Sequence, residues 1–233
     1  MKTVKMFYDK YNYPKVGQHT HRQMKNHAKL VQEILFYGGI ALKDVAGKKV
    51  LDAGCGTGDK CVFLAKHGAN VTAIDFSDGQ LNDARKLAIT NKVNVKFFNK
   101  DLVNNSLKDL GTFDVILCTG VLHHTENPKK AFASIVGQLK PNGTIVIGLY
   151  HKYARLRYFL IRLLIKCFVS WKYDSEKIIN WLNNNWVGKK LSKAPSNAIY
   201  DRYVVPYESY HTLKDIKEWF SENDIQLTAF SEN

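Results

Sequence analysis

Five short runs of β-branched, aliphatic and aromatic residues recur through the middle of the chain, at 49–54 (KVLDAG), 70–75 (NVTAID), 95–98 (VKFF), 113–118 (FDVILC) and 144–148 (TIVIG). Near-continuous apolar runs of this length predict strands buried on both faces. Segments of helical character lie between them at 59–67, 78–90 and 128–139, with Asp59, Ser77 and Asn127 as candidate N-caps and Gly68, Pro141 and Gly143 marking the exits. Strands alternating with helices predict a doubly wound α/β domain, its sheet mostly parallel and covered by helices on both faces.

The flanks follow another pattern. Residues 1–30 form a polar, aromatic arm with Tyr8, Tyr11, Tyr13, His19, His21, Arg22 and His27, and 26–42 predicts an amphipathic helix leading to the first strand. Beyond the fifth strand, 152–172 (KYARLRYFLIRLLIKCFVSWK) interleaves aliphatics with cations and predicts a basic helix with Arg155, Arg162 and Lys166 on one face. Residues 173–211 are rich in Asn and Tyr, Thr212 to Ser221 returns to helical character, and Ile225 to Phe230 reads as a short strand. The chain thus divides as one domain over 1–233: an arm and helix over 1–44, a core over 45–150, an inserted helical lid over 151–211, and a terminal helix and strand over 212–233.

Composition narrows the class. With 233 residues, 45% of them hydrophobic, the chain has single-domain length and too much apolar content for a disordered or collagenous protein. Cys55, Cys61, Cys118 and Cys167 show neither a C-x-x-C pair nor a zinc-ligand spacing, which fits reduced thiols in the cytoplasm and no metal site. The N-terminus lacks a signal-like apolar stretch, and no uncharged apolar run of roughly 18 residues occurs, so a cytoplasmic protein is expected. The net charge of +13 is uneven: +7 over 1–49, +2 over 50–150 and +4 over 151–233. The nearly neutral middle and basic flanks turn the charge into a property of the segments around the core.

The chemistry points to the turn after the first strand, Asp52-Ala-Gly54-Cys55-Gly56-Thr-Gly58-Asp59. Alternate glycines permit a tight strand-to-helix turn and close approach of a ligand, and the following helix offers free amides at its N-terminus. Asp59 stands where a dinucleotide fingerprint places its third glycine, and the Gly-Lys-Ser/Thr ending of a P-loop is missing. The D-x-G-x-G-x-G pattern, with AIDFS at 73–77, NKDL at 99–102, FDVILCTGVLHHTENP at 113–128 and LKPNGTIVIGLY at 139–150, resembles the class I S-adenosylmethionine-dependent methyltransferases over roughly residues 45–150. Within them the chain is similar to the small-molecule branch that includes ubiquinone and menaquinone biosynthesis enzymes.

That resemblance implies a Rossmann-like methyltransferase sheet, S-adenosylmethionine as cofactor with S-adenosylhomocysteine as product, and a set of binding residues. Gly54, Cys55, Gly56 and Gly58 would make room for the cofactor, Asp52 would order the loop or meet the ammonium end, and Asp75 would accept from both ribose hydroxyls. Phe76 would flank the adenine, Asp101 would accept from its amine beside Leu102, and Cys118, Thr119, Gly120 and Leu122 would line the methionine portion. Of two consecutive histidines one generally points inward and the other outward, so at most one of His123 and His124 is expected to face the reacting methyl group, as a general base or a substrate-holding group, the alternative being a structural role. The reaction implied is an SN2 displacement onto an O, N or C nucleophile.

The acceptor is left to the flanks. Tyr11, Tyr13, His19 and Arg22 in the arm, Tyr150, and Tyr203, Glu208 and His211 in the segment 201–211 are the candidate substrate contacts. Three readings stay open: an enzyme acting on a small or lipid-linked metabolite, an RNA (tRNA) methyltransferase, or a cofactor-binding interaction subunit without catalysis. The basic stretch 152–172 reads as a lid helix packed on the domain with its basic face solvated, as peripheral contact with an anionic membrane, or as contact with RNA, for which no binding module is recognisable. Nothing in the pattern specifies an oligomeric state. Family members usually end in two strands; with one candidate strand before Asn233, the sheet is one strand short, completed by an insertion strand, or continued beyond this sequence.

Overall fold

The computed structural model describes residues 2–11, 21–169, 173–184 and 203–231. Five parallel strands, β1 (Lys49–Ala53), β2 (Asn70–Asp75), β3 (Val95–Asn99), β4 (Phe113–Thr119) and β5 (Leu139–Gly148), form one sheet in the order β3-β2-β1-β4-β5. The order reverses between β1 and β4, and the crevice beyond the carboxyl ends of those two strands is where such a sheet leaves room for a ligand. The helices among the described residues are α1 (Lys2–Tyr11), α2 (His21–Tyr37), α3 (Asp59–Lys66), α4 (Asp78–Thr90), α5 (Pro128–Val136), α6 (Leu156–Phe168), α7 (Ser175–Asn184) and α8 (Leu213–Glu222).

Strand alternation sends successive side chains to opposite faces, and both faces are covered. Val50, Val71 and Leu117 pack with Leu35 of α2, Leu64 of α3 and Leu81 of α4. Leu51, Ile74 and Ile116 pack on the other side with Phe132 of α5 and Trp219 and Phe220 of α8. The Phe132 and Phe220 rings stack with centroids 5.2 Å apart, joining α5 to α8. A third cluster lies outside the sheet and unites the two flanks: Phe7 of α1, Ile165 of α6, Ile178 and Leu182 of α7, and Tyr203, Val204 and Val205.

Several boundaries differ from expectation for local reasons. The expected helix 26–42 runs from His21 to Tyr37 and stops at Gly39, whose left-handed φ of 66° lets Ile40 N donate to Leu35 O. Gly58, not Asp59, is the N-cap of α3, while Ser77 and Asn127 cap α4 and α5 with their side chains as expected. β5 begins at Leu139, where the chain pairs with Phe113, shifts register through Pro141–Gly143 and resumes its ladder at Thr144. Ile225 to Phe230 is not a strand: after Asp224 takes a left-handed turn, Ile225 and Leu227 are used as packing against the α5–α8 cluster.

The basic helix is also corrected. It starts at Leu156, and Arg155 and Arg162 turn inward onto Glu208, whose side chain is buried, at 3.9 and 3.5 Å, with Arg162 Nη2 donating to Val205 O at 2.7 Å. A carboxylate facing two inward guanidiniums holds α6 to the 203–211 segment. Removing one partner of such a buried pair strands charge, so Glu208→Ala is expected to lower the unfolding free energy by about 3 kcal/mol in urea melts, against about 0.5 kcal/mol or less for Lys166→Ala.

Candidate functional site

The turn from β1 to α3 is held under close steric control. A Cβ on Gly54 would come within 2.3 Å of Val121 in the turn after β4, and one on Gly58 within 2.8 Å of the Ala84 Cβ on α4. Only glycine lets the loop sit between these neighbours. A Cβ on Gly56 would meet nothing within 4 Å, because that position faces a cavity of about 400 Å³.

Asp75, the last residue of β2, ties the loop to the next turn. Its Oδ2 accepts from Gly56 N at 2.9 Å and its Oδ1 from Ser77 N at 3.0 Å. Burial pushes its carboxyl up from the usual range, and the Ser77 and Gly56 amides hold part of that rise back. Ser77 is itself fastened to the arm, its hydroxyl donating to Asp9 Oδ1 of α1 at 2.6 Å while accepting from Gln80 N.

The cavity gathers many of the expected residues. Gly54, Cys55, Gly56, Asp75, Phe76, Asp101, Leu102, Thr119, Gly120, His124 and Tyr150 all line it. Asp101 also caps its own loop, Oδ1 accepting from Val103 N and Oδ2 from Asn104 Nδ2, both at 2.8 Å. Asp52, Gly58, Cys118 and Leu122 do not line it. Asp52 lies fully buried beneath the loop, 3.5 Å from Lys60 Nζ, and Lys60 reaches the cavity wall. Burial pushes the Asp52 carboxyl up against the opposing pull of Lys60. Cys118 is buried in β4, where desolvation pushes its thiol up to about 12, and Leu122 belongs to the core.

The two histidines part company. His123 is fully buried, its ring stacked on Tyr150 at 3.7 Å between centroids, and neither ring nitrogen has a hydrogen-bond partner among the described residues. Burial, with the charge of Arg155 and the neighbouring His124 acting in the same direction, holds its pKa well below the ordinary 6.5. His124 lines the cavity and shares a 3.0 Å hydrogen bond between Nδ1 and Tyr207 O. A carbonyl only accepts, so Nδ1 carries the proton and in the neutral ring Nε2 holds the lone pair.

The 203–211 segment straps this turn rather than lining the cavity. Ser209 N donates to His123 O at 2.8 Å, Tyr203 is buried in the third cluster, and His211 Nε2 lies 2.9 Å from Ser209 Oγ with its ring against Trp219. Arg155 lies 3.3 Å above the Tyr150 ring, opposite a partner stack with His123. Tyr11 and Arg22 fall on α1 and α2 with side chains outside the described residues, and Tyr13 and His19 lie outside them altogether.

Tyr8, Thr57, Lys60, Gln80, Lys100, Val121 and Thr125 also line the cavity and were not anticipated. Tyr8 meets Phe76 and His124 edge-on, at 6.0 and 6.3 Å between centroids. Lys60 had a readable signal, being a cation in the first turn of the helix that follows the glycine loop; Tyr8 had none apart from its place in an aromatic arm. Among the described residues no group of three or more His, Cys, Asp or Glu is arranged to hold a metal ion.

The family whose pattern matches residues 51–147 is described as "Methyltransferase domain". The chain is 26% identical over 203 residues to the ubiquinone biosynthesis O-methyltransferase of Rickettsia felis, covering 80% of this chain and 73% of that protein. To the enzyme of that name from Vibrio parahaemolyticus it is 30% identical over 136 residues, 57% of this chain and 58% of that one. Among solved structures it matches magnesium protoporphyrin IX methyltransferase from Synechocystis PCC 6803 with bound SAH at a TM-score of 0.58 and 18% identity, over 94% of this chain and 88% of that one, a likeness of fold.

A neutral buried His123 has a measurable consequence. Below pH 6.5 the unfolded chain protonates this residue and the folded chain does not, so stability falls on acidification, by up to about 1.4 kcal/mol per pH unit, and the residue contributes nothing above that range. Urea unfolding of His123→Phe, which keeps a ring against Tyr150, is expected to show a slope shallower by about one proton below pH 6.5.

Proposed function

The chain belongs to the class I S-adenosylmethionine-dependent methyltransferases, and we propose that it methylates a hydroxyl of a small aromatic acceptor, free or carried on a lipid, with His124 taking the hydroxyl proton. The observation that carries this reading is the placement of His124 on the cavity wall, with its ring oriented by the 3.0 Å hydrogen bond that Nδ1 donates to Tyr207 O. The O-methyltransferase relatives support an oxygen acceptor. The RNA and inactive-subunit readings are not favoured by these relatives.

The residues present fit the cofactor. Gly56 opens onto space that any side chain would fill, and Asp75 presents a rigidly held carboxylate suited to a pair of hydroxyl donors. Lys60, anchored on Asp52, sets a cation on the same wall for an anionic group. S-adenosylmethionine, when bound, supplies a methyl group activated by sulfonium charge. The chain's part is then mostly placement, which is worth on the order of 7 kcal/mol or more when two reactants are held in line. Phe76, Tyr8 and Tyr150 exclude water and offer flat apolar surface to rings, and His124 draws off the one proton that a hydroxyl must lose.

Calorimetry and kinetics on the full chain test this. Asp75→Ala is expected to weaken S-adenosylmethionine binding about 100-fold, the loss of two charge-assisted hydrogen bonds, and unchanged affinity would overturn the site. Affinity for the parent protein should fall on acidification at a higher pH than an ordinary carboxylate of 3.8 would give, because the carboxyl of Asp75 is raised. His124→Gln is expected to lower kcat on a dihydroxybenzene acceptor about 100-fold with cofactor affinity unchanged, the deficit shrinking as alkaline pH ionises the acceptor by itself. A pH-independent deficit, or none, would remove His124 from the proton path.

A further inference from the structure

The surface left unexplained by the cavity is the outward half of α6. At 3.6 residues per turn Leu156, Phe159, Leu160, Leu163, Leu164 and Phe168 fall on one continuous arc, and each is between 45% and 83% exposed. Six large apolar side chains side by side on a helix of 13 residues make a contiguous patch, unlike the single exposed leucines that any surface carries. Water would favour the opposite arrangement, with Arg155 and Arg162 outward, yet those two guanidiniums face Glu208. Of the cations of α6 that stay outside, Arg157 stands near one end of the apolar arc, between Leu164 and Phe168, and Lys166 just beyond the other end, and no Asp or Glu occurs from 151 to 173.

We propose that α6 is an interfacial helix that docks the protein on an anionic lipid bilayer, its apolar arc in the acyl boundary and Arg157 and Lys166 among the head groups. Charge selects this occupant. A second copy on the same face would bring four such cations together with no carboxylate in the segment to meet them, whereas anionic lipid complements both edges at once. At 13 residues α6 is about 20 Å long, too short to span, and among the described residues no helix is long and apolar enough to cross a membrane. The N-terminal end of α6 touches the site: its N-cap residue Arg155 covers Tyr150, and Tyr150 lines the cavity. A docked α6 therefore holds the cavity wall at Tyr150 on the side of the domain that faces lipid, and a lipid-borne hydroxyl is the acceptor this suits; this last link rests on the methyltransferase reading of the cavity, and the docking does not.

Cosedimentation of the full chain with vesicles tests the proposal, using phosphatidylcholine alone and phosphatidylcholine mixed with phosphatidylglycerol at one ionic strength. Binding to the anionic vesicles is expected, with partitioning reduced at least about tenfold by Leu160→Ser with Leu164→Ser, and about tenfold by Arg157→Gln with Lys166→Gln. Unchanged melting temperature and S-adenosylmethionine affinity in both double variants establish that they fold. No binding by the parent, or equal binding by the Leu160→Ser, Leu164→Ser variant, overturns the proposal. A dimer in light scattering that the same serines disperse assigns the face to a second copy and overturns it too. Failure of the parent to bind S-adenosylmethionine sinks the reading of the cavity while leaving the vesicle result standing.

Discussion

The carboxylate of Asp75 is the point on which the site depends, because each of its oxygens is committed to a different piece of chain. One holds the amide of Gly56 in the loop after β1, and the other holds Ser77 at the start of α4. The constraint is reciprocal. The two amides offset part of the cost of burying the carboxylate, and the carboxylate gives each of them a strong acceptor in return. Ser77 extends the arrangement to Asp9 on α1, so an arm distant in sequence is registered against the same turn and brings Tyr8 over Phe76 and His124.

A second anchor sets the other wall. The turn that carries the histidines is strapped from outside, through Ser209 to His123 O and through Tyr207 O to His124 Nδ1, and the strap is locked by Glu208 against two arginines of α6. Adjacent residues of one sequence motif thereby acquire unlike chemistry. His123, closed in by Tyr150 and by the positive charge of Arg155, is kept neutral and packs as a ring. His124, with one nitrogen committed to a carbonyl, presents a single defined tautomer to the cavity side of the turn.

What was legible in the sequence follows from how local each constraint is. The parallel sheet and the glycine turn were readable because a two-sided strand needs a nearly unbroken apolar run, and because contacts as tight as Val121 on Gly54 admit no other residue. Ser77 and Asn127 were readable as caps, since the bond each makes lies within three residues of itself. Ile225 to Phe230 misled for the opposite reason: an apolar alternating run states that residues pack, and only tertiary contacts decide between a ladder and side-chain packing against α5 and α8. Tyr8, held at the site through the bond of its neighbour Asp9 to Ser77, 68 residues along the chain, carried no local signature beyond its place in an aromatic arm.

The arginines of α6 make the same point about charge. In sequence, Arg155, Arg162 and Lys166 share a helical face and read as a solvated basic stripe; in the fold, two of the three are consumed by a carboxylate that arrives from residue 208, and aliphatics are left outside in their place. Net charge therefore says little about what a surface presents until internal partners are subtracted. The cofactor half of the molecule, nearly neutral in sequence, is governed by backbone geometry and one carboxylate. The flanks are governed by where a few long-range ion pairs direct otherwise similar side chains, which is why the cofactor turn and the segments linked to it were readable in the sequence while the face that α6 turns outward had to be seen folded.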